Sequence, residues 1–214
     1  MKCRLLISLI AISAFFASAK GPDFDVIERL GDPLDSLHNP ALYLDAIEQA
    51  ISNPATKPDM RARLELMAQS ARKNQPGTTA ADITFVTPDD SIHHLSDLRG
   101  ALTLIFFNDP DCESCALVKQ RIAHSSVLNE LITNHRLRIV GIYPFSDERL
   151  WRQTEYPPCI INGWDRNGDI MDRETYVLPT FPLFYLIDSH GIVQAKDEPS
   201  LNRITKLITS LTTQ

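Results

Sequence analysis

Hydrophobic positions change their period along the chain, and the changes predict its organisation. In "PALYLDAIEQAIS", Leu42, Leu44, Ile47, Ala50 and Ile51 recur near helical spacing behind Pro40, a residue tolerated in a first turn. "KPDMRARLELMAQSARKN" repeats the theme, with Met60, Leu64, Met67 and Ala71 on one face. "NQPGTT", from Asn74 to Thr79, then breaks the pattern. After it come strands. "DITFV" reads as a short one, "PDDS" as a turn into "IHHLSDL", and "LTLIFFN" as an unbroken apolar run between Gly100 and Pro110. Such a run suits a central strand covered on both faces.

Helical spacing returns at Ala116, Leu117, Ile122 and Ala123, and "SSVLNELI" reads as a second helical piece or as the helix's continuation. "RLRIVGIYP" is a further apolar strand, and "SDERLWRQ" opens with a Ser/Asp cap before a helix-like run. "FPLFYLIDSHGIVQAK" reads as a strand, a tight turn and a returning strand. The chain closes on an amphipathic helix with Leu201, Ile204, Leu207, Ile208 and Leu211. The order is βαβ, then a β-hairpin and a helix. This predicts an α/β domain over residues 77–214, preceded by a small all-α domain over residues 20–76.

The first 19 residues follow another rule. Lys2 and Arg4 precede an apolar run from Leu5 to about Ala17, which ends at Ala17-Ser18-Ala19. These are the parts of a cleaved secretory signal peptide, so the mature chain is expected to be periplasmic or otherwise exported. The run is too short for a typical membrane span, which needs roughly 20 residues. No span is expected in the mature chain. Loss of Lys2 and Arg4 takes the net charge from -6 to about -8. An acidic surface without basic clusters argues against nucleic acid and anionic membranes as partners.

The mature chain keeps three cysteines, Cys112, Cys115 and Cys159, too few and odd in number for a disulfide scaffold. Cys112 and Cys115 form a CxxC pair where the apolar strand gives way to a helix. There the first cysteine meets unpaired backbone N–H groups and the positive end of the helix dipole, which favour a thiolate. The thiolate is the nucleophile of disulfide exchange. Cys112 would attack, and Cys115, one turn on, would resolve the mixed disulfide. The competing readings are half of a zinc site and two core thiols. Zinc wants four ligands, and only Cys159 and six scattered histidines remain, with His93 and His94 adjacent in an expected strand. No metal and no cofactor are expected.

From about Gly77 onward the chain resembles exported thiol–disulfide oxidoreductases of the thioredoxin fold, a mixed central sheet flanked by helices. The CxxC carries half of that resemblance, and "VLPTFPLFYLIDSHGIV" carries the rest, with Pro182 at the cis-proline position and Pro179 as its competitor. "NQPGTTAADITFV", "LTLIFFNDPDCESC" and "GIYPFSDERLWRQ", with the helices before them, resemble Bacteroidetes thioredoxin-like proteins that carry an uncharacterised N-terminal domain (DUF5106). The resemblance implies a cis peptide at Phe181–Pro182 facing the cysteines, with both residues shaping a peptide-binding edge. It further implies protein or peptide disulfides as substrates and a membrane-bound partner as reductant. The rival is a non-enzymatic protein that uses the same fold to hold a peptide or partner.

The chain departs from thioredoxin itself. Asn108, Asp109, Pro110 and Asp111 precede Cys112 without a tryptophan, Glu113-Ser114 replaces Gly-Pro, and Phe106 stands where thioredoxin keeps a buried acid. Asp109, Asp111 and Glu113 oppose a Cys112 thiolate, which favours a reducing or mid-potential couple. Three other features tempt. Cys159 reads as a small buried hydrophobe, "DRNGD" as a solvated turn that lacks the later residues of a calcium loop, and Trp151 and Trp164 as core or groove.

Overall fold

The structure, a computed structural model, describes residues 23–213, so the expected signal segment lies outside the described residues. The chain divides into two compact units, Met1–Arg72 and Lys73–Gln214. In the first, α1 (Phe24–Gly31), α2 (Pro40–Ser52) and α3 (Pro58–Arg72) pack together. The sequence reading lacks α1, whose eight residues give the helical period little length in which to show. Its start is fixed by Asp23, whose carboxylate accepts the Val26 N–H at 3.3 Å; Asn39 does the same for Leu42 at 3.1 Å. Ile27 and Leu30 of α1 meet Ala46, Ile47, Ala50, Leu64, Ala68 and Ala71 in one core. Met60 and Met67, expected on the buried face of α3, only flank that core, and Ala68 fills it.

The break expected to separate the domains lies inside the second unit. The Asn74 side-chain amide donates to Thr175 O at 2.9 Å, and the Gly77 N–H donates to Val193 O at 2.8 Å. Beyond it the described residues form a seven-stranded sheet in the order β2-β1-β5-β4-β3-β6-β7. The strands are β1 (Thr84–Val86), β2 (Ile92–His94), β3 (Leu102–Phe107), β4 (Leu137–Tyr143), β5 (Ile161–Trp164), β6 (Leu183–Ile187) and β7 (Val193–Glu198). β3 runs parallel to β4 and antiparallel to β6, and β4 runs parallel to β5. Helices α4 (Glu113–Ala123), α5 (Ser126–Thr133), α6 (Glu148–Gln153) and α7 (Leu201–Thr212) complete the unit.

Alternation along β3 divides the core in two. Leu104 and Phe106 face Val118 and Ile122 of α4, Leu128 and Leu131 of α5, and Ile204 and Ile208 of α7. Ile105 and Phe107 face the other way, toward Tyr185 and toward Leu95, Leu98, Ile170 and Tyr176 from non-strand segments. The central strand is therefore covered on both faces, one of them by a 3-10 turn and a loop instead of helices. β5 is absent from the sequence reading because "IINGW" contains Asn-Gly, which reads as a turn. Gly163 belongs there for packing: a Cβ would lie 2.6 Å from Ile142 Cδ1 and 2.8 Å from Phe85 Cδ2. Among the described residues no helix is long and apolar enough to cross a membrane.

Candidate active site

The carboxyl end of β3 delivers the cysteines. Asn108 N–H still pairs with Ile142 O at 3.1 Å, and the chain then turns as Asp109 Oδ1 accepts from Asp111 N–H at 3.1 Å. Cys112 N–H closes that turn on Asp109 O at 3.1 Å, which puts Cys112 at the N-cap of α4. Its Sγ accepts the Cys115 backbone N–H at 3.2 Å and lies 3.0 Å from Ser114 Oγ. A sulfur thus takes the place of the usual capping oxygen. Cys115, in the first turn of α4, is fully buried. Cys112, Cys115 and Cys159 all carry free thiols.

The two thiols of the pair are pushed in opposite directions. At Cys112 burial is the largest influence and raises the pKa. Hydrogen bonds from Cys115, Ser114 and the Cys115 backbone together outweigh it, so the net shift is downward. Asp109 opposes the thiolate, as the acidic surroundings predict, without reversing that direction. At Cys115 burial, reinforced by the hydrogen bond to Cys112, pushes the thiol up to about 12. One thiol is inclined to ionise and the other is held as a thiol.

The Phe181–Pro182 peptide is cis. Cys112 Sγ reaches Phe181 O at 3.9 Å, which brings that peptide to the sulfur. The Phe181 ring meets Phe145, in the loop after β4, with centroids 5.6 Å apart. Phe145 also lines a cleft of about 270 Å3 with Ser146, Arg166 and Met171. Sequence reasoning missed Phe145 and Ser114. Ser114 lies inside the motif, but Phe145 joins the site only through the parallel pairing of β4 with β3. Phe106 is buried and stacks on Phe184 at 5.3 Å, so the usual place of an acid beneath the cysteines is filled by aromatic carbon.

The structure sorts the remaining candidates. Trp151 and Trp164 stack on each other at 5.2 Å in a small core with Val86 and Tyr143, so they do not line a groove. Asp165 corrects the expectation of a solvated turn. It is buried, and its carboxylate accepts the N–H groups of Asp169 at 3.1 Å and Ile170 at 2.7 Å. Cys159 is half-buried against the helix-side core, and burial raises its thiol pKa.

No protein-family model matches the chain, and no curated protein does. Solved structures do. A conserved protein of unknown function from Bacteroides fragilis is 32% identical, with 63% of this chain and 98% of that one covered and a TM-score of 0.60. A thioredoxin-like protein from Bacteroides caccae is 26% identical over 85% of this chain, with a TM-score of 0.79. The chain belongs to one family with the Bacteroides fragilis protein and has a thioredoxin-like fold. It spans 66% of the length of the Bacteroides caccae protein. The thioredoxin domain of a thiol–disulfide oxidoreductase from Bacteroides vulgatus shares the fold at 20% identity, with 63% of this chain and 98% of that one covered and a TM-score of 0.51. The neighbours of this chain thus include thiol–disulfide oxidoreductases, which at 20% and 18% identity share its fold.

Proposed function

We propose that this protein is an extracytoplasmic thiol–disulfide oxidoreductase that reduces protein or peptide disulfides. Cys112 attacks and Cys115 resolves. The observation that carries the reading is the opposed behaviour of the two thiols: Cys112 is lowered by hydrogen bonds from Cys115 and Ser114, while burial holds Cys115 as a thiol. A nucleophile must be a thiolate at working pH, and a resolving group must wait until a mixed disulfide forms. The backbone beside the cis-proline, with Phe181 and Phe145, is the edge on which an extended substrate would lie. Export rests on the signal-like first 19 residues. In this reading a membrane-bound partner returns the enzyme to its dithiol form, and the helical unit is the DUF5106-type module that the sequence resembles.

Titration of the Cys112–Cys115 couple against dithiothreitol or glutathione, with thiol trapping, tests the direction. A reversible couple below about -220 mV supports a reductase, and one near about -120 mV reverses the electron flow. No reversible couple, together with a Cys112→Ser protein that still holds its partner, would leave the non-enzymatic binding protein.

A further inference from the structure

Resolution poses a problem that the two cysteines alone do not solve. Cys115 must become an anion while fully buried, and burial, Cys112 and the charge of Asp109 all oppose its ionisation. Phe106 supplies no proton-transfer group beneath it. Lys119 lies four residues after Cys115, hence on the same face of α4. Its neighbours on that face, Val118 and Ile122, are core residues, and Lys119 itself is only 9% exposed.

A buried lysine ordinarily has a carboxylate partner. Among the described residues Lys119 forms no ion pair. Its Nζ sits 4.6 Å from the centroid of the Tyr156 ring instead. That ring is itself fixed: the Tyr156 hydroxyl donates to Asn108 Oδ1 at 2.6 Å, and the Asn108 amide donates to Phe106 O and Ile142 O at 3.1 and 3.2 Å. The cation is thereby tied to the strand end that carries the active-site turn.

Burial is the largest influence on Lys119 and lowers its pKa. The charges that raise it are Cys115 first and Cys112 second. The other titratable groups nearby are Tyr156 and Tyr143, both raised by burial and so neutral, Cys159, likewise raised, and Asp109, whose charge acts on both cysteines. The two thiolates are therefore the anions that the ammonium answers.

Resting on the thiol–disulfide reading above, we propose that Lys119 is a positioning residue whose buried ammonium stabilises the Cys115 thiolate while the mixed disulfide is resolved. The Cys112 thiolate attacks one substrate sulfur, the substrate S–S bond breaks, and a first substrate thiolate leaves. Cys115 passes its proton to that departing thiolate and attacks Cys112 Sγ. The bond between Cys112 and the substrate breaks, and the second substrate thiolate leaves and is protonated by solvent. Two electrons pass from the dithiol to the substrate disulfide, and Lys119 keeps its proton throughout.

The test uses the full reduced chain in a Cys159→Ala background and one equivalent of an aromatic disulfide whose released thiolate absorbs visible light. Attack by Cys112 releases the first thiolate, and resolution by Cys115 releases the second. Lys119→Met, close to Lys in shape, is expected to slow the first phase less than the second, because the Lys119 charge couples to Cys115 before Cys112. It should slow the second about tenfold at neutral pH and displace the second phase's pH profile upward. Lys119→Arg, which keeps the charge, is expected to restore rate and profile. Circular dichroism confirms that each variant folds, so Arg remains decisive if Met does not. A second phase in Lys119→Met with the wild-type rate and profile overturns the proposal, as does an Arg protein as slow as the Met protein. Absence of a second release in the background protein itself would instead refute the thiol–disulfide reading.

Discussion

The backbone N–H of Cys115 donates to the Sγ of Cys112 at 3.2 Å, so the residue buried behind the pair stabilises the ionised form of the one in front. The bond exists because Cys112 caps α4, where a first-turn N–H has no carbonyl partner within the helix. The same first turn buries Cys115 and raises its pKa. One local geometry produces both shifts.

Ser114, in the same first turn, strengthens the effect with its hydroxyl 3.0 Å from the same sulfur. Ser114→Ala removes that hydroxyl and should raise the Cys112 pKa. A hydrogen bond worth about 0.5–1.5 kcal/mol corresponds to a roughly two- to tenfold slower reaction of Cys112 with iodoacetamide at neutral pH. Alkylation rates measured across pH check this, and an unchanged profile would assign the lowering of Cys112 to the Cys115 bonds alone.

Gly163 joins β5 to its neighbours by having no side chain. Its backbone φ is not in the left-handed region, so a substitution acts through contact alone. Gly163→Ala drives a methyl toward Ile142 and Phe85 and should cost about 1–3 kcal/mol of stability by overpacking. The urea unfolding midpoint reports the loss; an unshifted midpoint would mean that both side chains move aside freely.

Asp165 gives stability a pH dependence whose sign follows from its burial. Burial is the leading influence and raises its carboxyl above the ordinary 3.8, against the two backbone N–H groups that pull it down. A group raised in the folded state contributes stability that is full below its unfolded pKa and is lost as pH rises through the folded one. Asp165→Asn removes that loss. The variant's urea midpoint relative to wild type should therefore climb as pH rises from 3.8 through the shifted value. A difference that stays flat over this range would show that Asp165 titrates alike in both states.

Local chemistry made much of the fold legible. β3 is a continuous apolar run and reads as central, and Asp147 announces α6 because it accepts from a first-turn N–H. α1 and β5 escaped for opposite reasons. The eight residues of α1 are too short for a clear period, and β5 carries an Asn-Gly that local rules assign to a turn. At the site, Cys112 and Cys115 were legible because their spacing is itself the chemistry. Lys119 was in plain view as one polar residue on an apolar helical face, which local rules read as solvated. Its placement became apparent only with Tyr156, 37 positions further along the chain, beneath it.

The sequence by itself determined the elements that depend on neighbours within a few residues: the helical period, the caps, the apolar strand and the CxxC at its end. Tertiary structure alone decided what stands opposite them. The burial of Cys115 among distant side chains, the contact of Phe145 with Phe181 and the cation over Tyr156 all need segments far apart in the chain to meet. The reason is physical. Backbone preference acts over a few residues, whereas burial and charge act through space, and packing sets the distances that fix their strength.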